Sequence, residues 1–215
     1  MPFEISYAFT IFLVTMGPIG AIPRFALISA DLDGPATRAL ALRGILLAAF
    51  LAAITALVVS GTMESWRVSV PALQIAGALL LYGSASKNVT TGLANAPSGP
   101  APGHSAPQKS FDAEVKARAL TPLAVPAIVS PTGIVAILLF VGLAKGDSPL
   151  LMQVYGLLAL ILALNFVGML LAKRLIAYVG FTVFQIMGWI MSVLQAGLAV
   201  QTLLGALRTL KIIPA

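Results

Sequence analysis

Two four-residue stretches, Gly17-Pro18-Ile19-Gly20 and Ser130-Pro131-Thr132-Gly133, decide the fold because each interrupts a long apolar run. In an aqueous loop, a small residue followed by proline and a nearby glycine is an ordinary turn signal. Inside a bilayer the same stretch breaks a helix, and such a break is tolerated only where it is buried in protein or lines a cavity. We therefore expect the two stretches to face each other inside one helical bundle.

The composition is that of an integral membrane protein. The chain has 215 residues, of which 59% are apolar and 9% are charged, whereas a soluble domain carries about 25% charged residues. The absence of cysteine excludes a disulfide framework, a thiolate metal site and a cysteine nucleophile. We expect no cofactor and no metal. The net charge of +6 is explained by basic loops at a membrane surface rather than by nucleic-acid binding.

Charge-free stretches predict six transmembrane helices, each close to the ~20 residues needed to cross the hydrocarbon core. The predicted fold class is therefore an all-α membrane protein, with its first and fourth helices broken at the two Pro-Gly motifs. The predicted spans are residues 5–23, 44–63, 68–86, 119–144, 148–172 and 175–207.

Lysine and arginine are unevenly distributed between the two faces of this predicted bundle. Cytoplasmic loops are enriched in basic residues, so the face with more of them predicts the cytoplasmic side and places both termini outside the cytoplasm. The loops after helices 1, 3 and 5 hold nine, which are Arg24, Arg38, Arg43, Lys87, Lys109, Lys116, Arg118, Lys173 and Arg174. The opposite face holds four, which are Arg67, Lys145, Arg208 and Lys211.

A stretch rich in proline, glycine and serine, residues 94–110, separates two halves of three helices. This composition cannot bury enough apolar surface to offset the entropy of ordering it, so it predicts a flexible segment. The predicted organisation is a first three-helix repeat over residues 1–92, a cytoplasmic linker over 93–116 and a second repeat over 117–215.

Two short matches indicate that the halves are repeats. Pro18 and Pro131 are 113 residues apart (131 − 18), and Gln74-Ile75-Ala76-Gly77 matches Gln185-Ile186-Met187-Gly188 at a spacing of 111 (188 − 77). Because each half has three helices, the second half must enter the membrane from the opposite side. Inverted repeats occur in several secondary transporter folds, whose sites lie at the repeat interface near the bilayer midplane.

Each break exposes backbone groups of both kinds. Proline lacks an N–H, so Pro18 frees the carbonyl of Val14 and Pro131 frees that of Ala127. The first N–H groups of the half-helix beyond each break carry a partial positive charge. Acceptors on one side and donors on the other suit a small zwitterionic amino acid, which has one carboxylate and one ammonium group.

The candidate substrate-binding residues lie at the breaks, together with two intramembrane glutamines at matching positions. Purely structural roles remain open for these residues, because proline kinks often only shape helix packing and amides often only join helices. For Asn165 we prefer the structural role. No Asp or Glu lies within a predicted span, so a buried carboxylate proton relay has no candidate. The candidates are Thr15, Gly17, Pro18, Gly20, Pro23, Gln74, Pro126, Ser130, Pro131, Thr132, Gly133 and Gln185.

The second predicted helix carries a stripe of small residues at every fourth position. Such a stripe lets a neighbouring backbone approach closely. A contact within the bundle, a sliding surface and the interface of a homo-oligomer all remain open for it. The stripe consists of Gly44, Ala48, Ala52, Ala56 and Ser60.

Motifs along the whole chain resemble those of one known family. Residues 17–25 correspond to an Asn-Pro-x-Gly-x-x-Pro-x-Phe pattern, and residues 117–133 to an Ala-Arg lead followed by Pro-Leu-Ala-x-Pro and Gly-Pro-Gly. Residues 74–77, 185–188 and 199–201 are similar to its third- and sixth-helix signatures. The family is MarC, whose six-helix bacterial and archaeal membrane proteins are also classed as neutral amino acid transporters.

The resemblance implies a multi-pass protein of the cell inner (plasma) membrane that exports or exchanges small neutral amino acids such as alanine or glycine. This chain departs from the family pattern at three positions. Gly17 replaces the asparagine before the first proline, and Ser130 and Thr132 replace the glycines around the second. If these positions touch substrate, one break has lost an amide and the other has gained hydroxyl groups.

Three classes of function are compatible with a polytopic helical protein. The favoured one is a secondary transporter whose partners are a small zwitterionic substrate and the lipid bilayer. The alternative is a non-transporting membrane protein, such as an assembly or lipid-interacting factor. An intramembrane enzyme is disfavoured, because the spans contain no His-Glu-x-x-His motif, no Ser–His pair and no paired aspartates.

Overall fold

The computed structural model describes residues 5–94 and 128–214, and every regular element within them is an α-helix. Most of the predicted linker, residues 95–116, and the first part of the second repeat therefore lie outside the described residues. The helices are α1 (Ile5–Met16), α2 (Pro18–Ile28), α3 (Gly34–Ser65), α4 (Val70–Ala94), α5 (Pro131–Leu143), α6 (Ser148–Val179) and α7 (Phe181–Thr209).

Four segments of the described chain are long and apolar enough to cross a membrane, namely Ile5–Ile28, Gly34–Val59, Ser148–Val179 and Phe181–Thr209. Helix α4 fills the third predicted span but is not among them, because Gln74 and the polar run at residues 83–87 lower its hydropathy. Helix α5 is a shorter apolar helix. An all-helical membrane protein is thus confirmed, whereas six spans, inverted repeats and the two broken helices stay predictions.

The predicted spans end at charged residues, but the helices of the structure continue past them. Helix α3 already includes Arg38 and Arg43, and helix α6 continues through Lys173 and Arg174 to Val179. Lysine and arginine are good helix formers, so they mark the edge of the apolar region without ending the helix. The chain between α6 and α7 turns at Gly180, whose φ of 88° is readily reached only by glycine.

Aspartates start the two longest helices in the same way. The Asp33 carboxylate accepts a hydrogen bond from the Ala36 backbone N–H at 2.9 Å, and the Asp147 carboxylate accepts one from the Leu150 N–H at 3.0 Å. A carboxylate at this position satisfies an otherwise unpaired N–H and favours the positive end of the helix dipole.

The helices pack as one bundle around a shared apolar core. The most extensive contact joins α4 and α7, while α2 packs on α6, α3 packs on α5, and α3 crosses α6. Phe12 of α1 and Phe140 of α5 are fully buried at the centre, with ring centroids 5.2 Å apart. This packing brings the start of α5 and the middle of α6 against the chain between α1 and α2.

The stripe of small residues on α3 faces this core from Gly44 to Ala56, and the side chain of Ser60 lies outside the described part of the chain. Gly44, Ala48, Ala52 and Ala56 are buried, whereas Phe50 and Leu57 on other faces of the helix are exposed. Of the three roles left open by the sequence, the structure supports a contact within the bundle of one chain. An interface between copies would need these residues on the outside.

Replacing a stripe residue by leucine should destabilise the protein. In Ala52→Leu the larger side chain has to enter a filled core, which costs about 1–3 kcal/mol. Ala53→Leu is the matched control, because Ala53 is exposed on the same helix turn. Thermal unfolding in detergent should show a lower midpoint for Ala52→Leu only, and equal midpoints for both variants would contradict this placement of the stripe.

Candidate functional site

The two Pro-Gly stretches have nearly the same backbone conformation. Gly17, between α1 and α2, has φ −75° and ψ 168°, and Ser130, before α5, has φ −75° and ψ 158°. A proline follows each of them as the first residue of the next helix. Proline suits this position because its fixed φ is helical and its missing N–H would have no partner there.

The second stretch touches the two residues just before the first. The Ser130 hydroxyl donates a hydrogen bond to the backbone carbonyl of Thr15 at 3.0 Å, across 115 residues of sequence. The Met16 side chain packs on Gly133 so closely that a Cβ on this glycine would collide with the Met16 Cγ. The end of α1 and the start of α5 therefore form one joint, which we call the junction (residues 15–20 and 130–133).

The start of α5 is capped by its own side chain. Ser130 Oγ accepts from the Gly133 N–H at 3.0 Å and lies 2.8 Å from the Thr132 hydroxyl. A serine hydroxyl has one hydrogen and two lone pairs. Since the hydrogen goes to Thr15, the hydroxyl of Thr132 must be the donor in its bond with Ser130. All hydrogen-bonding capacity of Ser130 is therefore used inside the protein.

The start of α2 has no such cap. Gly17 has no side chain to offer, and no side-chain hydrogen bond caps this helix. Glycine is needed here in any case, because a Cβ on Gly17 would collide with the carbonyl oxygen of Leu13. At Gly20, in the first turn of α2, a Cβ would meet no atom within 4 Å, and the residue is exposed.

Asn165 of α6 contacts the junction, although it was not among the candidates predicted from the sequence. Its side chain is fully buried, and its amide nitrogen donates to the Met16 carbonyl at 2.6 Å and to the Ile161 carbonyl at 2.9 Å. Its Oδ1 atom has no hydrogen-bond partner in the described part of the chain. An amide in a long apolar helix, three residues before Gly168, is the signal that could have identified it.

Helix α6 approaches α2 closely at Gly168. A Cβ added there would lie 3.2 Å from Pro18 Cβ and 3.1 Å from Ile22 Cδ1, so only glycine fits without displacing these side chains. This contact holds the middle of α6 against the beginning of α2. It explains how Asn165, one turn earlier on α6, reaches the last carbonyl of α1.

The remaining candidates near the breaks have ordinary structural surroundings. The Thr15 hydroxyl bonds back to the Ile11 carbonyl at 2.7 Å. Pro23 lies inside α2 without ending the helix, which corrects the span end predicted there, because a proline removes one hydrogen bond but leaves later turns intact. Pro131 is exposed. Pro126 lies outside the described residues.

The two repeat-related glutamines are not joined to the junction by hydrogen bonds within residues 5–94 and 128–214. Gln74 and Gln185 are half-buried on α4 and α7, and the Gln74 Oε1 atom is buried without a partner in those residues. Over the same ranges, no group of three His, Cys, Asp or Glu side chains could hold a metal ion. The polar chemistry of the junction therefore consists of hydroxyl, amide and backbone groups.

One comparison with known proteins identifies relatives. A family model described as MarC family integral membrane protein matches residues 3–211, nearly the whole chain. No curated protein and no solved structure matches it.

The contact between Met16 and Gly133 can be tested by a double-mutant cycle. Gly133→Ala should lower the free energy of unfolding by about 1–3 kcal/mol, because the new methyl group overlaps Met16. In a Met16→Ala background, where this overlap is gone, the same substitution should cost almost nothing. Denaturant unfolding in detergent micelles measures both costs.

Gly20→Ala is the matched control for this cycle, since Gly20 occupies the same third position of α2 but has open space around it. It should be neutral or slightly stabilising in both backgrounds. An equal cost of Gly133→Ala with and without Met16 would refute the close contact of the two stretches.

Proposed function

Because this chain belongs to the MarC family of integral membrane proteins, we propose that it is a secondary transporter of small neutral amino acids such as alanine or glycine. The substrate binds near the bilayer midplane between two broken helices and is exported or exchanged. In this proposal α1 and α2 are the two halves of the first broken helix, and α5 is the second half of the other.

The observation that carries the proposal is the meeting of two helix starts in an apolar bundle. Ser130, before α5, bonds to the carbonyl of Thr15, two residues before the stretch that starts α2, so the two helix starts lie near each other. Interrupted helices at an interface between repeats are how many secondary transporters build a substrate site from backbone groups. A zwitterion has a carboxylate, which suits a helix N-terminus, and an ammonium group, which suits carbonyl oxygens.

The inverted repeat has support beyond the two motif matches. Helices α3 and α6 both have 32 residues and start 114 residues apart (148 − 34). Each follows an aspartate cap with a proline two residues later, Asp33-Gly34-Pro35 and Asp147-Ser148-Pro149. Helices α4 and α7 start 111 residues apart (181 − 70), the spacing already found for the glutamine motifs.

The helix packing also fits a two-fold relation that exchanges α2 with α5, α3 with α6, and α4 with α7. Under this exchange the α2–α6 contact becomes the α5–α3 contact, and both are present. The α4–α5 and α7–α2 contacts form another such pair, and α3–α6 and α4–α7 map onto themselves. The substrate would then lie near the axis, where α2 and α5 begin.

We place the protein in the cell inner membrane with both termini outside the cytoplasm. The Lys173 ammonium donates to the Leu32 carbonyl at 2.7 Å, which joins the end of α6 to the loop before α3, two basic regions assigned to the cytoplasmic face. Tyr7, near the start of α1, bonds to Thr202, near the end of α7, at 2.7 Å. This contact puts both terminal regions on one side.

A non-transporting function is the second candidate, and one observation favours it. Ser130 satisfies its hydrogen-bonding groups internally, as a purely structural joint would. Under this alternative the junction only shapes the bundle. Pro18→Ala and Pro131→Ala would then change stability without any effect on flux.

Alanine flux into proteoliposomes is the direct test. The purified protein should give saturable uptake of labelled alanine or glycine, and Gly20→Ala should reduce it, because the methyl group narrows the approach to the start of α2. Gly156→Ala is the control, since Gly156 is also exposed in a helix with open space around it. No flux for any small zwitterion would refute the transporter hypothesis. Equal flux in both variants would show that the substrate does not bind at the start of α2.

A further inference from the structure

We infer that Asn165 binds the ammonium group of the transported amino acid while the substrate carboxylate lies at the uncapped start of α2. This inference rests on the proposed transport function and adds two things to it. It gives the orientation of the bound substrate, and it assigns a binding role to a side chain on α6.

The orientation of the Asn165 amide is fixed by its neighbours. One end of the amide lies 2.6 Å from the Met16 carbonyl oxygen and 2.9 Å from the Ile161 carbonyl oxygen. Carbonyl oxygens only accept hydrogen bonds, so this end must be the NH₂ group, and a flipped amide would place oxygen against oxygen. The other end is therefore the acceptor, Oδ1.

The Oδ1 atom is a buried acceptor without a donor. The residue is 0% exposed, and Oδ1 has no hydrogen-bond partner among residues 5–94 and 128–214. Buried polar atoms in folded proteins are nearly always paired, and an unpaired one needs an explanation. A ligand that carries N–H donors would supply the missing bond.

The amide that carries this acceptor reaches the chain just before α2. Met16, whose carbonyl accepts from the amide nitrogen, directly precedes Gly17, the N-cap residue of α2, and no side chain caps this helix. The N–H groups of Ile19 and Gly20 belong to this first helical turn, and Pro18 has none. A helix N-terminus favours an anion, so one place offers an acceptor for an ammonium group and donors for a carboxylate.

The arrangement is present at only one of the two helix starts. At α5 the Ser130 side chain already caps the Gly133 N–H. The repeat spacings of 111 to 114 residues align Asn165 with residues 51–54, Leu-Ala-Ala-Ile, which are all apolar. An amide needed only to stabilise the repeat fold would be expected in both halves. An amide near the uncapped start of α2 alone fits a ligand that has an ammonium group at one end and a carboxylate at the other.

An ammonium group fits the acceptor better than a metal cation does. Hard cations such as Ca²⁺ and Mg²⁺ take about six or more oxygen ligands, whereas an ammonium group has three N–H donors. Asn165 Oδ1, together with the second lone pairs of the carbonyls at the end of α1, matches this smaller requirement.

The test compares ligands that differ in one charged group. Binding of L-alanine and of propionate, which lacks the ammonium group, is measured by isothermal titration on the full-length protein in detergent. Asn165→Ser should weaken alanine binding by about tenfold or more, the usual effect of losing a hydrogen bond to a charged group, and leave propionate binding unchanged. The serine hydroxyl can still bond to the Ile161 carbonyl four residues earlier, which preserves the helix.

Gln195→Leu is the matched control for loss of a buried amide. Gln195 of α7 is also buried and donates to a backbone carbonyl, that of Leu81, but on a different helix pair. It should lower thermal stability as Asn165→Ser does and leave alanine binding intact. If Gln195→Leu weakens alanine binding equally, the effect of Asn165→Ser is general destabilisation and the inference is wrong.

The remaining outcomes separate this inference from the proposed function. A wild-type protein that binds no small zwitterion refutes the transport proposal itself. If the wild type binds alanine and Asn165→Ser binds it equally well, the function stands and the role of Asn165 is refuted. Stabilisation of the wild type by sodium chloride over choline chloride, lost in Asn165→Ser while alanine binding persists, would instead assign Oδ1 to a metal cation.

Discussion

The structure depends on how the carbonyl groups at the end of α1 are satisfied inside an apolar bundle. Where α1 stops, at Met16, its last carbonyls have no N–H groups from the same helix. Two distant side chains supply donors, Ser130 to Thr15 and Asn165 to Met16. An unpaired carbonyl in hydrocarbon costs several kcal/mol, so losing one of these donors would cost more than the ~1 kcal/mol of an average hydrogen bond. The break therefore locks α1, α5 and α6 together.

Close helix approach makes these bonds possible. Gly168 allows α6 to reach Pro18 and Ile22, and the small residues of α3 allow α5 and α6 to pack deeply against it. In a membrane the hydrophobic effect gives little drive for helices to associate, so close packing and buried hydrogen bonds carry more of the stability. The same small residues that permit packing thus position the polar groups of the junction. Gly168 and the small residues of α3 therefore affect both the packing of the helices and the position of the polar groups.

The sequence predicts the helical class, and its two prolines mark the helix starts at Pro18 and Pro131, because hydropathy and proline act locally. Helix ends were harder, since Lys173 and Arg174 mark the membrane edge while Gly180 stops the helix. Asn165 could not be assigned from spacing, because its partner Met16 lies 149 residues away. The aspartate caps of α3 and α6 were overlooked as a repeat signal. Features set by contacts between distant segments need the fold, whereas features set by a residue and its own neighbours do not.

The differences from the family pattern at Gly17 and Ser130 can be understood together. In this chain a side chain before the first proline has no room, because a Cβ on Gly17 would collide with the Leu13 carbonyl oxygen, and a glycine before the second proline would leave α5 uncapped. In this chain glycine leaves α2 open, and serine closes α5 with all its hydrogen bonds used. A ligand cannot gain a bond at the start of α5 unless it breaks an existing one, whereas it can at α2. If the site transports a zwitterion, the start of α2 is therefore where exchange of bonds with the substrate costs least, and the start of α5 is the fixed side of the junction.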